Sequence, residues 1–149
     1  MRTIDLGASS PETGVAGVRP AHRIWLRDGD TPVFGAGICE LLEKVQATGS
    51  LRRAASEMGM AYSKAWQIVR RAEEHLGVTL MTRHAGGRGG GCSIVSDEGK
   101  WLVGAFGAMD EEADAILDEL FARHFGAWQI AVGVRRPKVA GGSLRMEKE

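Results

Sequence analysis

The apolar residues between positions 22 and 48 predict a β-hairpin followed by a helix. The runs RIWL and PVFG flank the turn-forming Asp28-Gly29-Asp30, so residues 22–34 are expected to form two short strands. Residues 36–48 then carry apolar side chains at offsets 0, 3, 4 and 7, which share one face of a helix: Ile38, Leu41, Leu42 and Val45. Gly49 is expected to end this helix, because glycine readily adopts the left-handed conformation common at that position.

Two further helices are predicted with almost no linker between them. Ser50 is a suitable N-cap for a helix that runs to Met58, and Gly59 provides the left-handed residue that ends it. The next helix is expected to begin near Tyr62 and to end at Gly77. Its buried stripe consists of Ala65, Ile68, Val69, Ala72 and Leu76, and its opposite face carries Ser63, Lys64, Gln67, Arg71 and Glu74.

The junction between these two helices has the composition of a helix-turn-helix. Ala54 and Ala55 are small enough for the helices to pack closely, and Met58 and Met60 fill the angle between them. A three- or four-residue turn sets such helices at a steep angle. The second helix is then held with its polar face outward, at a size that fits the major groove of DNA. Helical hairpins in proteins that do not bind DNA show a similar pattern.

The segment after Gly77 predicts two strands joined by a glycine-rich loop. VTLMTR and CSIV are β-prone, and HAGGRGGG between them places Arg88 among glycines whose backbone can approach a phosphate closely. Residues 84–91 are therefore interpreted as the wing of a winged helix. A nucleotide-binding P-loop does not fit, because no Gly-Lys-Ser/Thr follows and the loop does not lead directly from a strand to a helix. A merely flexible hairpin is the alternative.

A long helix is predicted after the wing, with Ser96 as its N-cap. Its apolar stripe extends over about 25 residues, or roughly 37 Å. The stripe comprises Leu102, Ala105, Phe106, Met109, Ala113, Ile116, Leu117 and Leu120. Because this is longer than a winged core needs, we interpret residues 97–125 as a dimerisation helix; the alternative is that it caps its own domain. GAWQIAVGV is expected to form one strand in a loose basic tail, residues 126–149.

Composition and charge are typical of a small globular protein. The 149 residues are 44% hydrophobic and 26% charged, which suits one domain at residues 22–125 after a disordered segment at residues 1–21. The chain has no run of 18 apolar residues, no signal-peptide pattern and only two cysteines, so a reduced, cytoplasmic protein without membrane contact is expected. The net charge is zero, but residues 50–95 sum to +4 and residues 97–120 to −7. One face can therefore still bind nucleic acid.

A family resemblance is carried by GSLRRAASEMGMAYSKAWQIVRRAEEHLGVTLMTRHAGGRGGG and by SIVSDEGKWLV. Residues 24–121 resemble the winged-helix DNA-binding domain of the ModE family of molybdate-responsive regulators and, more distantly, the LysR-type regulators. YSKAW and GGRGGG are the segments most specific to ModE. The resemblance implies a mainly α fold with small β: a winged helix-turn-helix with an N-terminal β-hairpin and a long C-terminal dimerisation helix. It also implies a bacterial homodimer that binds a palindromic operator through the third helix and the wing.

Two features depart from the family pattern. Full-length members continue into β-barrel modules that bind molybdate, whereas this sequence ends at Glu149, so oxyanion sensing is not carried over and no cofactor is expected. The family often has Ser where Ala61 stands, as the N-cap of the third helix. Either Ser63 caps instead, which shifts the helix start by up to two residues, or Ala61 leaves the helix end weaker by about 1 kcal/mol.

Double-stranded DNA is the expected partner of the second and third helices and the wing. The candidate contacts are Arg52, Arg53, Tyr62, Ser63, Lys64, Gln67, Arg71 and Arg88. Gln67 suits an adenine edge and Lys64 a guanine edge, although either can hold a phosphate instead. Arg52, Arg53 and Arg71 are candidates for the phosphate backbone, with solvated surface charge as the alternative for the first two. Trp66 is expected to be a packing residue.

Other functions find less support in the residues. The four histidines have no mutual ligand spacing and neither cysteine has a neighbouring partner, so neither a metal site nor an enzyme is expected. The acidic residues between 110 and 114 are interpreted as part of the solvent-exposed face of the long helix. Two alternatives to a regulator remain open. One is a protein that responds to an oxyanion or another small ligand, and the other is an interaction module that dimerises with a longer paralogue without binding DNA.

Overall fold

The fold is the expected winged helix-turn-helix, mainly α with two small hairpins. The computed structural model describes residues 18–86 and 91–135, with side chains to residue 128. In chain order the elements are β1 (Trp25–Asp28), β2 (Thr31–Gly35), α1 (Ala36–Thr48), α2 (Leu51–Glu57), α3 (Tyr62–Leu76), β3 (Met81–His84), β4 (Cys92–Val95) and α4 (Asp97–Arg135). The expectations for residues 1–17, for the wing tip at 87–90 with Arg88, and for the tail from residue 136 lie outside the described residues.

The chain divides into two units. Residues His22–Asp114 form one unit, which contains both hairpins, α1 to α3 and the first half of α4. The described residues of the second unit are 18–21 and 115–135, the latter belonging to α4. Within these described ranges, no helix is both long enough and apolar enough to cross a membrane.

The helix boundaries follow from the capping residues. Ser50 caps α2, since its side-chain oxygen accepts a hydrogen bond from Arg53 N at 3.2 Å. Gly59 has a φ of 67° and turns the chain toward α3 within a few residues, which few other residue types do without strain. Ala61 occupies the N-cap of α3 without a side-chain hydrogen bond, and Tyr62 is the first helical residue. The uncapped start is therefore the correct alternative, and Ser63 does not replace the missing cap.

Both sheets are two-stranded antiparallel hairpins. In the first, Trp25 lies opposite Gly35, and the register shifts after Leu26. In the second, the pairing runs from Met81 opposite Val95 to His84 opposite Cys92. The strand β3 is shorter than VTLMTR because the preceding backbone bonds elsewhere: Leu80 N donates to the Glu73 carboxylate, and Thr79 O accepts from the Ser96 hydroxyl.

The core lies where the three short helices meet the wing strands and the start of α4. Its fully buried members are Phe34, Leu41, Leu42, Val45, Leu51, Ala54, Ala55, Ala65, Val69, Ala72 and Leu80. Phe106 of α4 packs edge to face against Phe34 of β2, with 5.4 Å between the ring centroids. Leu102 is half-buried against the same core. The first turns of α4 therefore complete the core of their own unit, and Phe106 is not available to a dimer face.

The long helix extends beyond its predicted end. Residues 126–135 continue α4, so the expectation of a strand formed by GAWQIAVGV is wrong. Phe121 stacks on Phe125 at 5.0 Å, and Phe125 meets Trp128 at 6.3 Å between ring centroids. Contacts at spacings of four and three residues stabilise a helix, whereas a strand would place neighbouring side chains on opposite faces. The same contacts extend the helix past the boundary expected at residue 125.

Candidate nucleic-acid interface

The wing strands are fixed directly to the helix-turn-helix. Ser93 of β4 is only 6% exposed; its N–H donates to Gly49 O at 2.8 Å, and its hydroxyl accepts from Leu51 N at 3.3 Å. On the other strand, the carboxylate of Glu73 accepts from Leu80 N at 2.8 Å and from Met81 N at 3.2 Å. These bonds join β4 to the start of α2 and β3 to α3. The base of the wing therefore has a defined position beside α3.

The outer face of α3 carries the polar residues predicted for it. Ser63, Lys64, Gln67 and Arg71 are exposed, opposite the buried Ala65, Val69 and Ala72. Arg52 and Arg53 of α2 are exposed as well. Tyr62 is half-buried at the first position of α3. Seven of the eight candidate DNA contacts thus have accessible side chains on α2 or α3, and Arg88 is the one outside the described residues.

Two aromatic side chains one turn apart on α3 are surrounded by arginines. The guanidinium carbon of Arg52 lies 4.5 Å from the centre of the Tyr62 ring. The guanidinium carbon of Arg83, on β3, lies 5.4 Å from the Tyr62 ring and 4.8 Å from the Trp66 ring. The guanidinium carbon of Arg70 lies 5.8 Å from the centre of the Trp66 ring. Trp66 is half-buried and packs against the core, as predicted, but it also supports two cations.

Arg83 lies beside these rings although it was not among the candidate contacts predicted from the sequence. Side chains two residues apart on a strand share a face. Arg83 is two residues after the buried Met81 and pairs with the buried Ser93, so it faces the helices rather than solvent on the far side of the wing. The alternation of Met81 and Arg83 is present in the sequence, but the pairing with Ser93 and the packing of this face toward α3 are seen only in the structure.

A small polar cleft opens between α2, α3 and the wing. It has a volume of about 230 Å³ and is lined by Ser50, Arg52, Tyr62, Arg83 and Ser93, among others. Arg52 and Arg83 form no ion pair with any residue that the structure describes, and the same holds for Arg53, Lys64 and Arg71. Lys44 instead lies near Glu40 and Glu57, and Arg70 near Glu74. The five cations without a carboxylate neighbour are available to an external anion.

The remaining candidates for a dimer face also lie on α4. Met109 is 39% exposed, Ile116 57% and Leu120 37%. Ala105 is exposed, and Ala113 and Leu117 are half-buried. Large apolar side chains are rarely left in water along a continuous helical stripe unless another surface covers them.

His22, His75 and Cys39 each have close contacts within the fold. Within the described ranges, no group of three or more His, Cys, Asp or Glu side chains is arranged to hold a metal ion. His22 lies between Asp110, at 2.9 Å, and Asp114, at 3.2 Å. His75 pairs with Asp28 at 2.9 Å, which connects the end of α3 to β1. Cys39 is a buried free thiol whose pKa is raised to about 11, first by burial and then by the carboxylates of Glu43 and Asp110.

Part of the chain is similar in sequence to known bacterial proteins. Residues 39–99 match the family described as bacterial regulatory helix-turn-helix protein, lysR family. The chain is 34% identical over 77 residues to the molybdenum-pterin-binding protein MopB of Rhodobacter capsulatus, covering 52% of this chain and 28% of that protein. It is 34% identical over 83 residues to the molybdenum transport protein ModE of Azotobacter vinelandii, covering 56% and 31%. It is 31% identical over 85 residues to MopA of Rhodobacter capsulatus, covering 57% and 32%.

These matches confirm the resemblance to ModE-type and LysR-type regulators. The matched residues 39–99 include α2, α3 and both wing strands, so the similarity is to a bacterial regulatory helix-turn-helix domain. The chain spans about three tenths of the length of the relatives it matches.

Proposed function

We propose that this chain is a sequence-specific, double-stranded DNA-binding transcriptional regulator that acts in the cytoplasm as a homodimer on a palindromic operator. The observation that carries the proposal is the set of exposed cations on α2, α3 and β3 that have no carboxylate partner among the described residues. Desolvating such charges against a neutral partner would be costly, whereas a polyanion offers each of them a favourable contact.

The recognition helix enters the major groove in this proposal. Residues 62–76 form that helix, and Ser63, Lys64 and Gln67 lie on its first exposed turns, where side chains reach base edges. Lys64 reads guanine and Gln67 reads adenine. Arg71 is further along the helix and contacts the backbone. The wing, residues 84–91, lies along the backbone or in the adjacent minor groove.

The dimer is formed by the apolar stripe on α4. Ile116 and Leu120, with Ala113 and Leu117, would pair with the same residues of a second copy, since a two-fold interface is self-complementary. Two recognition helices related by a two-fold axis require half-sites of opposite orientation. Their separation is expected to be one helical turn of DNA, or a multiple of it.

The test is binding of the purified protein to fluorescent double-stranded DNA. Random DNA is compared with a palindrome obtained by selection, at two salt concentrations. We expect the selected DNA to bind more tightly, both DNAs to bind more weakly at high salt, and Lys64→Ala to reduce the preference for the selected DNA. Lys100→Ala, at an exposed position on α4, is the control for the loss of one charge. Negligible binding of either DNA by the folded wild type would exclude the regulator.

The same preparation distinguishes the two alternatives. The names of the relatives refer to molybdenum, so an oxyanion-responsive protein predicts a thermal shift with molybdate or tungstate that sulfate does not reproduce. An interaction module predicts no DNA affinity for the isolated chain, together with binding to a longer paralogue.

A further inference from the structure

Two arginines from distant parts of the sequence converge on one ring. Arg52 of α2 and Arg83 of β3 both lie within 5.4 Å of the centre of the Tyr62 ring, so their guanidinium carbons are less than about 10 Å apart. The bonds that Glu73 and Ser93 make to the neighbouring backbone hold β3 and β4 in the position that brings these arginines together. The convergence is thus built into the attachment of the wing.

Both arginines are exposed, so water screens part of their mutual repulsion, and an anion in contact with both would replace that repulsion with attraction. Neither arginine has a carboxylate partner among the residues that the structure describes, and both line the 230 Å³ cleft. A guanidinium presents planar, forked N–H donors that match the oxygens of a phosphate. The Tyr62 ring, together with Trp66 on the Arg83 side, restricts the arginine side chains and so lowers the entropy cost of holding an anion.

Two serine hydroxyls add unused donors to the same cleft. The Ser50 hydroxyl accepts a hydrogen bond from Arg53 N, and the Ser93 hydroxyl accepts one from Leu51 N. Neither hydroxyl donates to a partner among the described residues, so each O–H remains available. Ser93 is only 6% exposed, and it lines the cleft. The cleft thus combines a buried hydroxyl whose O–H is unused with two cations without a counter-charge, and this combination suits an anion.

We infer that Arg52 and Arg83 together bind a single phosphodiester of the DNA backbone in this cleft, with Tyr62 and Trp66 as positioning residues. The inference rests on the proposed DNA-binding function and adds to it a fixed anchor at the junction of recognition helix and wing. A backbone phosphate held at the first residue of α3 sets how deeply that helix enters the groove, because phosphate contacts fix register and orientation. A free phosphate or sulfate shares the chemistry of the ligand, and the test distinguishes it from the DNA backbone.

The experiment measures DNA affinity as a function of salt for the full chain. The variants are Arg83→Ala, Arg52→Ala and the double variant, with Arg27→Ala as the matched control because Arg27 is exposed on β1 and lies near Asp30. Each single variant is expected to bind about tenfold more weakly to random and selected DNA alike, and to lower the slope of log affinity against log salt by about one. The double variant should lose little more than either single variant, since both arginines hold the same phosphate.

Variants of Tyr62 test the positioning role. Tyr62→Phe keeps the ring and should retain the wild-type salt slope, whereas Tyr62→Leu removes the ring and should weaken binding toward the level of Arg83→Ala. Thermal melting of every variant checks that it remains folded. An unchanged slope in Arg83→Ala, or fully additive losses in the double variant, overturns the shared phosphate while leaving the proposed DNA binding intact.

The remaining outcomes separate the two proposals. If the folded wild type binds no DNA, the proposed function fails. If phosphate and sulfate then stabilise the wild type, and Arg83→Ala abolishes that stabilisation, the cleft is a site for free oxyanions and the DNA anchor is overturned. A third outcome is specific DNA binding by the wild type without thermal stabilisation by millimolar free phosphate. In that case, a smaller salt dependence of DNA affinity in Arg83→Ala supports the DNA backbone as the ligand.

Discussion

The carboxylate of Glu73 accepts a hydrogen bond from Leu80 N at 2.8 Å, and this bond joins α3 to the segment that leads into β3 of the wing. Glu73 also accepts from Met81 N at 3.2 Å. A single side chain of α3 therefore orients the segment that carries Arg83. The position of the wing is decided by bonds at its base, in the part of the hairpin that the structure describes.

Removing that carboxylate should loosen the wing. We expect Glu73→Ala to lower the free energy of unfolding by about 2 kcal/mol, because two backbone N–H groups lose a charged acceptor. Glu73→Gln keeps an acceptor and should lose less. Urea denaturation measures both, and Glu74→Ala, at the exposed neighbouring position, is the control, with an expected change below about 0.5 kcal/mol. Equal losses in the two Ala variants would contradict the role of Glu73.

Substitution by alanine should have opposite effects on the stability of the fold at two glycines of α4. A methyl group on Gly99 would lie 2.5 Å from Leu80 O and 2.8 Å from Val95 Cγ1, so Gly99→Ala should destabilise the fold by about 1–3 kcal/mol. Gly104 has no atom within 4 Å of that position, and Gly104→Ala should stabilise by up to about 1 kcal/mol through helix propensity. Thermal or urea unfolding of the two variants gives the comparison. Stabilisation in both would mean that Gly99 is not closely packed.

The proposed dimer can be tested on the far part of α4. Ile116 is 57% exposed, and Ile116→Asp should convert the dimer to a monomer because it places a charge in an apolar interface. Ala122→Asp makes the same charge change at an exposed position on the opposite side of the helix and should leave the dimer intact. Sedimentation equilibrium measures the mass of each. A monomeric wild type at micromolar concentration would refute the dimer.

The two cysteines should differ in reactivity. Burial raises the pKa of Cys39 from 9.0 to about 11, whereas Cys92 is exposed. Iodoacetamide at about pH 8 should therefore modify Cys92 first and leave Cys39 intact until the protein unfolds. Mass spectrometry of timed samples identifies the modified residue. Equal rates for the two thiols would show that the surroundings of Cys39 open freely.

Stability should depend on the protonation of Cys39 at high pH. The folded pKa lies above the unfolded value, so the protonated thiol contributes stability that is complete below about pH 9 and is lost as the pH rises through about 11. We expect the free energy of unfolding of the wild type to fall over this interval more steeply than that of Cys39→Ala. Urea denaturation at a series of pH values gives the free energy of unfolding of both proteins. The difference between them cancels the effect of other groups that titrate in this interval, because both proteins contain those groups. Parallel curves would contradict the buried thiol as the cause.

Local patterns in the sequence were sufficient to predict the three short helices of the first unit. The bounds of α1 follow from the spacing of its apolar residues and from Gly49, and α2 and α3 follow from Ser50, Gly59 and Gly77. These signals act within one or two turns of chain, so they can be read without knowing what packs against them. The uncapped start at Ala61 was one of two alternatives, and only the structure chose between them. The strand expected after residue 125 failed because its apolar residues also suit a helix, and the ring contacts of Phe125 favour the helix.

The sequence by itself therefore determined the winged helix-turn-helix and the polar face of α3, because periodicity and capping are local properties. Only the tertiary structure decided that Phe106 belongs to the core of its own unit, and that Arg83 and Arg52 both lie beside the ring of Tyr62. Both facts depend on contacts between residues far apart in the chain. Such contacts are set by how the wing and α4 pack on the helices, and side-chain spacing within one segment carries little information about that packing.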